Sequence, residues 1–419
     1  MSDALRRHGV WIGFALLLAV LPRVFTSGTS LTMMSLMGIM MVFALSYNML
    51  LGQTGMLSFG HAVYYGLAGF IAIHAMRTFV ADKLPIPLPL VPIVGGLAGL
   101  AFGVVFGSVS TRRAGTAFAM ISLGLAELVA ASSLVLRSFF GGEEGITADR
   151  SKLFRVFDLS FGPQVQVYYL IAVWTFVCVL AMYAITRTPF GRMCNAVREN
   201  PERAEFVGYS TQTVRWISFS LAGLFAGVAG ALAAISFEIM NALSVSAGQS
   251  GVVLLMTYIG GVGHFMGPII GAVLITALQI SLSDITGAWM LYFGLMFILV
   301  VMFVPGGIAG WIMLHEPVVK AGLTGLLAVP YLTVAVPMAA SALGLVGLVE
   351  LSHHMLVKAA TEGGKFRLFG VAVDGSSLVP WLVMVAIAAA GFLVARALWP
   401  RVTHAWGQVH DELKRRGLR

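Results

Sequence analysis

Long stretches without a formal charge dominate the chain. The 53 residues between Arg23 and Arg77 contain no Asp, Glu, Lys or Arg, and neither do the 45 residues between Glu238 and Asp284. A soluble protein would place charges on the solvated faces of its helices and strands. Apolar runs of about 20 residues instead match the hydrocarbon thickness of a bilayer. The pattern therefore predicts a membrane protein.

The uncharged runs predict helices rather than barrel strands. Inside lipid every backbone amide needs a partner within the protein, so only helices and closed barrels span it. The runs lack the alternation at every second residue that barrel strands show. We expect an all-α polytopic membrane protein with about 10 core transmembrane or half-membrane helices plus two C-terminal transmembrane helices. The expected segments are 8–24, 30–51, 56–76, 88–110, 114–136, 166–187, 213–236, 249–262, 266–283, 288–304, 322–348 and 376–396.

Composition and charge fit this class. Hydrophobic residues make up 58% of the chain and charged residues 11%, with a net charge of +8. Basic residues in cytoplasmic loops explain that charge better than nucleic-acid binding does. With both termini in the cytoplasm, the Arg-rich loop 188–212 is cytoplasmic too. The first segment resembles a signal peptide but has no clear cleavage site, so we expect an uncleaved span.

Motifs are denser before residue 316 than after it. This predicts a transmembrane domain over 1–316 and an extension over 317–419 that carries two spans and a basic cytoplasmic tail. The extension contains the adjacent pair His353 and His354. Two neighbouring histidines rarely complete a metal site, so we expect no metal here. The two cysteines provide no disulfide framework.

Glycines recur at every fourth position in two segments, and they also frame two similar tetrapeptides. Spacing by four places small residues along one side of a helix, where neighbouring backbones approach closely. The series are Gly95, Gly99, Gly103 and Gly107, and then Gly263, Gly267 and Gly271. Gly-Gln-Thr-Gly at 52–55 also recurs as Gly-Gln-Ser-Gly at 248–251. Such an echo is typical of transporters built from two related halves, although 48 glycines also allow a chance match.

Polar residues and glycines cluster at 52–61, inside an apolar region. Irregular backbone at membrane depth is tolerated where it is buried in protein or lines a water-filled path. The segment is either a broken helix that lines a translocation pathway or a turn followed by an ordinary helix. The candidate residues are Gly52, Gln53, Thr54, Gly55, Ser58, Gly60 and His61.

Glu127 is the one acidic residue near the middle of a predicted span. An ionisable residue at membrane depth is a candidate functional residue. It belongs either to the pathway or to a hydrogen bond with a neighbouring helix. A single carboxyl group is a poor proton relay.

The loop 188–212 predicts a short helix outside the bilayer. Asn200 is a good N-cap, Pro201 suits the first turn, Glu202 lies at the positive end of the helix dipole, and Gly208 can end the helix. A helix of about two turns is marginal in water, so it must pack on something. It either rests on its own subunit or is a docking element for a partner.

Six segments in the same order resemble the membrane permease subunits of bacterial ABC importers for branched-chain amino acids, specifically the longer of the two paired permeases. They are 51–62, 118–127, 141–146, 191–200 with Ala204, Glu205 and Gly208, 260–263 with Gly267 and Pro268, and 305–307. Residues 317–419 depart from the family pattern.

The resemblance implies one half of a translocation pathway in the bacterial inner membrane. It implies a second permease, two cytoplasmic ATPases that bind ATP and Mg²⁺, and a periplasmic solute-binding protein; this chain itself would bind no cofactor. The resemblance implies that the solute is a branched-chain amino acid or, as for some relatives, urea, a short amide or an aromatic acid. An ATPase would contact the coupling residues, which are Arg198, Glu199, Asn200, Pro201, Glu202, Ala204, Glu205 and Gly208.

Two other classes of protein compete with this interpretation. A secondary carrier or channel needs ion ligands at membrane depth, for which Glu127 is nearly the only candidate. A membrane enzyme needs clustered His, Asp or Glu side chains near an interface. The sequence also lacks a phosphate-binding loop, because Gly363-Gly364-Lys365 is followed by Phe366 rather than Ser or Thr. We therefore expect no ATP hydrolysis by this chain and no enzymatic activity.

Overall fold

The computed structural model describes residues 3–154, 159–304 and 306–417, and helices account for most of them. The helices are α1 (Asp3–Val24), α2 (Gly28–Thr54), α3 (Ala62–Ala81), α4 (Val91–Ser110), α5 (Gly115–Val135), α6 (Arg137–Phe140), α7 (Gln164–Arg187), α8 (Pro189–Glu199), α9 (Pro201–Phe206), α10 (Thr211–Phe237), α11 (Ala247–Gly260), α12 (Gly267–Ile285), α13 (Trp289–Phe303), α14 (Gly307–Lys320), α15 (Thr324–His353), α16 (Ala359–Glu362) and α17 (Leu378–Arg415). The strands are β1 (Ile146–Thr147), β2 (Ile239–Met240), β3 (Lys365–Leu368) and β4 (Val371–Asp374).

Many of these helices are long enough to cross a bilayer. Within the described residues nine meet the criteria of length and composition, and the bent pair α13 and α14 makes a tenth candidate span. The prediction of an all-α polytopic membrane protein is confirmed. Helix α11 has 14 residues. At 1.5 Å per residue it spans about 21 Å, less than the hydrocarbon thickness.

The chain divides into two compact units. The first comprises Met1–Ile280 and Leu299–Gly310, and the second comprises Ser281–Ile298 and Trp311–Arg419. The functional boundary at residue 316 stays a prediction. Pro305, part of the motif at 305–307, lies outside the described residues.

Helix α10 is the centre of the first unit and packs against α4, α3 and α2. The close approach of α4 depends on glycine. A Cβ on Gly99 would overlap the carbonyl oxygen of Gly223, and one on Gly103 would lie 3.0 Å from the Cα of Ser220. Gly95 and Gly107 also face α10. The α4 glycines therefore form one contact surface with α10.

The second glycine series is not continuous, and the prediction is wrong for Gly263. Helix α11 ends at Gly260, and Gly261 has a φ of +118°, which breaks the helix. Gly263 lies in the following turn, where a Cβ would meet nothing within 4 Å. Gly267 and Gly271 lie in α12 and pack against α11 and the turn that follows it. The spacing of these glycines by four is regular, but residues 261–266 between α11 and α12 are not helical.

A loop outside the spans is anchored to the end of α10. Strand β1 pairs with β2 in an antiparallel arrangement. The buried Arg150 guanidinium donates hydrogen bonds to four backbone carbonyls and one side-chain amide. Its acceptors are the carbonyls of Phe161, Gly162, Ile235 and Ser236 and the Oε1 of Gln164.

In the second unit α15 and α17 pack as an antiparallel pair. Gly344 contacts Ala388, and Gly391 contacts Pro337. Between these helices lie a π-helical turn, α16 and the β3–β4 hairpin. His354 stacks on Phe366 with ring centroids 4.1 Å apart, so this histidine packs within the segment.

Candidate functional site

The predicted helix over 56–76 begins six residues late, because α2 and α3 are separated by an irregular break at 55–61. Gly55 ends α2 with a φ of +70°, a left-handed conformation that favours glycine. The Met56 amide then donates to the Leu50 carbonyl at 3.0 Å. This interruption fits both alternatives from the sequence, a broken helix and a turn followed by an ordinary helix, and its role in a translocation pathway stays a prediction.

Side chains of three helices hold the break in place. Tyr47 of α2 donates to the Ser58 carbonyl at 3.0 Å. The Ser122 hydroxyl of α5 accepts from the Phe59 amide at 3.0 Å. The hydroxyl of Ser250 in α11 accepts from the amide of Ala62, the first residue of α3, also at 3.0 Å. The break is therefore the point where α2, α3, α5 and α11 meet.

The break is tightly packed but its polar groups are not all satisfied. The Nε2 atom of His61 lies 2.9 Å from the Ser46 hydroxyl, and the ring stacks on Phe43. Several buried side-chain atoms nevertheless have no hydrogen-bond partner among the described residues. In this region they are Asn48 Oδ1, Gln53 Oε1, Ser58 Oγ and His61 Nδ1. Unpaired buried polar atoms are costly and call for water or a ligand in some state of the protein.

Two glycines let backbones meet at the break. A Cβ on Gly60 would overlap the Ser122 carbonyl oxygen, and one on Gly52 would lie 2.6 Å from the Val262 carbonyl oxygen. Thr54 donates to the Leu50 carbonyl of its own helix at 2.7 Å. The Gly-Gln-Thr-Gly motif thus places the close-contact Gly52 beside the buried amide of Gln53.

The short helix expected in the loop 188–212 is present as α9. The Asn200 side chain accepts from the Arg203 amide at 2.9 Å, and Pro201 begins the helix. Gly208, with a φ of +93°, follows its end. Helix α9 packs on α8 and α10 through a small cluster of buried side chains. That cluster contains Cys194, Val197, Ala204 and Val214.

Two of the predicted coupling residues are exposed but also make hydrogen bonds within the chain. Glu205 accepts a hydrogen bond from Thr211 at 2.7 Å, so its carboxylate fastens α9 to the start of α10. Arg198 donates to the Gly52 carbonyl and thereby connects α8 with the end of α2. Glu199 and Glu202 are exposed. The structure therefore joins the α8–α9 segment to the break, two motifs that lie far apart in the sequence.

Three apolar residues that the sequence did not single out are exposed near α9. Phe206 is 91% exposed, and Val207 and Tyr209 are also exposed. They lie close together in the sequence and outside the spans, which makes them a candidate interaction site. The available signal was the run Phe-Val-Gly-Tyr in an otherwise polar loop.

Glu127 is exposed on α5, and no hydrogen bond or ion pair of its carboxylate occurs within the described residues. Gly124 lies one turn before it, where a Cβ would meet nothing within 4 Å. The alternative of a carboxyl group buried against a neighbouring helix of this chain is therefore wrong.

The paired tetrapeptides occupy different local structures. Residues 52–54 end α2, whereas 248–251 lie in the first turns of α11. An interruption of the helix follows the motif at 52–55, whereas one precedes the motif at 248–251. In the described part of the chain, no three His, Cys, Asp or Glu side chains are grouped closely enough to hold a metal ion.

Comparison with known proteins identifies the family. The family model described as "Branched-chain amino acid transport system / permease component" matches residues 29–305, which include the break, α8 and α9. The chain belongs to this permease family. The prediction from the sequence motifs is confirmed, and the permease is a multi-pass membrane protein of the ABC transporter class.

Individual relatives cover the same region of the permease. The high-affinity branched-chain amino acid transport system permease protein LivM of Escherichia coli (strain K12) is 25% identical over 291 residues, which cover 64% of this chain and 67% of LivM. The permease protein BraD of Pseudomonas aeruginosa is 25% identical over 64% of this chain and 90% of its own length. The nucleoside ABC transporter permease protein NupC of Lactococcus lactis is 33% identical, over 23% of this chain and 31% of NupC. No solved structure matches the permease.

Proposed function

We propose that this permease is one membrane half of an ABC importer, through which a small polar solute enters the cell when separate ATPases hydrolyse ATP. The family match supports the permease role. The two relatives with the longest coverage described above carry branched-chain amino acid transport in their names, so we assign that class of cargo to this chain.

The observation that carries the proposal is the exposed end of α9. Phe206 is 91% exposed on a helix whose other side is fixed by Ala204 and by the Glu205 to Thr211 hydrogen bond. Binding hot spots are enriched in aromatic side chains, and Phe206 projects such a side chain from a helix that is held rigidly. It fits an apolar pocket on a soluble partner, and we assign that partner as an ATPase subunit.

The remaining parts of the importer follow from this assignment. Two ATPase subunits bind ATP and Mg²⁺ in the cytoplasm, a second permease completes the pathway, and a periplasmic protein delivers the solute. The chain itself binds no cofactor and catalyses no reaction. It lies in the bacterial inner membrane with α8 and α9 facing the ATPases, and we assign both termini to the cytoplasm.

Glu127 supports a pathway between two permeases. A charged side chain at the centre of a span costs about 2.5–3.5 kcal/mol when it faces lipid. The exposed side of α5 around Glu127 and Gly124 is therefore unsuited to lipid contact. We assign it to the water-filled pathway and the second permease.

The variant Phe206→Ser tests the docking role. Removal of a central aromatic anchor costs about 2 kcal/mol or more in binding, so ATPase recovery with the purified permease should fall at least about tenfold. The measurement is the amount of ATPase that co-purifies from membranes in which both proteins are expressed.

Leu243→Ser is the matched control. Leu243 is also strongly exposed, but it follows the opposite end of α10. We expect this variant to retain its ATPase. Normal ATPase recovery with Phe206→Ser would contradict the docking role of α9.

A further inference from the structure

Arg198 reaches from the cytoplasmic helices to the end of a membrane span. Its guanidinium donates to the carbonyl oxygen of Gly52, which lies in the last turn of α2. The last four carbonyls of a helix have no amide partner within that helix. A charged donor at such a carbonyl makes a stronger hydrogen bond than a neutral one. The contact therefore fixes the point where α2 stops.

The aliphatic part of Arg198 covers the glycine that ends α2. A Cβ on Gly55 would lie 3.1 Å from the Cγ of Arg198. On its other side, Gly52 is in close contact with the Val262 carbonyl after α11. The end of α2 is thus held between α8 and the turn that follows α11, with the break at 55–61 immediately beyond.

Helix α8 is packed together with α9. Cys194 and Val197 of α8 share one buried cluster with Ala204 of α9 and Val214 of α10. Asn200 caps α9 directly after α8 ends. A force applied to the exposed end of α9 therefore acts on the helix that carries Arg198.

From these contacts we propose that Arg198 is a positioning residue that transmits displacement of α8 and α9 to the break at 55–61, and so sets whether the pathway is open or closed. The sequence placed Arg198 among the residues that an ATPase would contact, but its guanidinium bonds to Gly52 of this chain, so in this role it acts through the break and not through the ATPase or the solute. Its ion pair with Glu199, at 3.7 Å on the exposed side, is a weak contact and is not part of this role. The inference rests on the proposed function, in which an ATPase binds α9.

The test uses the complete importer with its binding protein, reconstituted in proteoliposomes. Arg198→Met keeps an apolar stem over Gly55 but removes the donor to Gly52. We expect ATPase recovery and ATP hydrolysis to stay within about twofold of the unmodified importer. Solute transported per ATP hydrolysed should fall at least about fivefold, since hydrolysis no longer moves the break.

Two further variants separate positioning from simple packing. Arg198→Lys keeps a cationic donor. The ratio of solute transported to ATP hydrolysed should recover at least half of the decrease seen in Arg198→Met. Arg192→Ala removes an exposed arginine from the same helix and should leave the ratio unchanged. Recovery by lysine but not by methionine is a result that a purely structural role would not produce.

The outcomes distinguish this inference from the function on which it rests. An unchanged ratio in Arg198→Met would overturn the role of Arg198 and leave the importer assignment intact. Loss of ATPase recovery in Arg198→Met would place Arg198 in the docking surface and would also overturn it. Absence of ATP-driven uptake in the unmodified importer would instead overturn the proposed function.

Discussion

Arg150 anchors a loop outside the spans to the end of α10 through its buried guanidinium. Its five acceptors are backbone carbonyls and one amide rather than a carboxylate. Its own amide donates to the Glu238 carboxylate at 2.9 Å. Glu238 follows α10 with a φ of +58°. The Arg150 side chain thus adds five hydrogen bonds to the β1–β2 pairing that holds this loop.

Arg150→Ala should destabilise the first unit by about 3 kcal/mol or more, because it leaves several buried carbonyls without a donor. The apparent melting temperature in detergent is the measurement. Arg77→Ala is the control, since Arg77 is exposed and donates one hydrogen bond, to Thr147. Equal melting temperatures for the two variants would contradict the anchoring role.

Local signals were readable from the sequence, whereas contacts over long distances were not. The cap at Asn200 and the left-handed Gly208 depend on neighbouring residues, and both are present in the structure. The contact between Arg198 and Gly52 joins residues 146 positions apart. No spacing rule reports such a contact, because it depends on how α8 packs against α2.

Helices α8 and α9 form one packed element at the start of α10. Burial in their shared cluster raises the pKa of the Cys194 thiol to about 12, and a hydrogen bond with Ser218 opposes that rise only in part. The neutral thiol is thus favoured at physiological pH. Since the thiolate is the nucleophile, Cys194 should be unreactive as long as α8 stays packed.

The alkylation rate of Cys194 tests this packing. In a Cys178→Ser background, we expect the rate at pH 7 to be at least about 100-fold below that of an exposed cysteine. It should keep rising with pH toward 12 rather than level off near the usual thiol pKa of about 8.5. The control is Asn195→Cys together with Cys194→Ser, which places a thiol at the exposed neighbouring position. Equal rates at the two positions would show that α8 is not packed as described.

The boundaries of whole elements were predictable where desolvation decides them. Uncharged runs located α2, α4 and α10 because a charge inside a span is costly. The start of α3 was predicted at residue 56, six residues too early, because the break at 55–61 depends on hydrogen bonds with the Ser122 and Ser250 side chains. The Gly263 series failed because spacing alone does not reveal the φ of +118° at Gly261.

The first compact unit carries nearly all of the recognised family region. The family match ends at residue 305, and the second unit begins its longest continuous part at Trp311. The α15 and α17 pair has its own core, which includes Val334, Ala395 and Val402. The extension 317–419 therefore lies within the second packing unit, and the family match does not define its role.

Uphill uptake by reconstituted vesicles decides between an ATP-driven importer half and a secondary carrier. The permease should be measured alone, and then with the second permease, the ATPases and the binding protein, with and without ATP and a proton gradient. We predict accumulation against the gradient only for the complete assembly with ATP, and no loss of uptake when an uncoupler is added at constant ATP. Accumulation by the permease alone, driven by the proton gradient, would contradict this account.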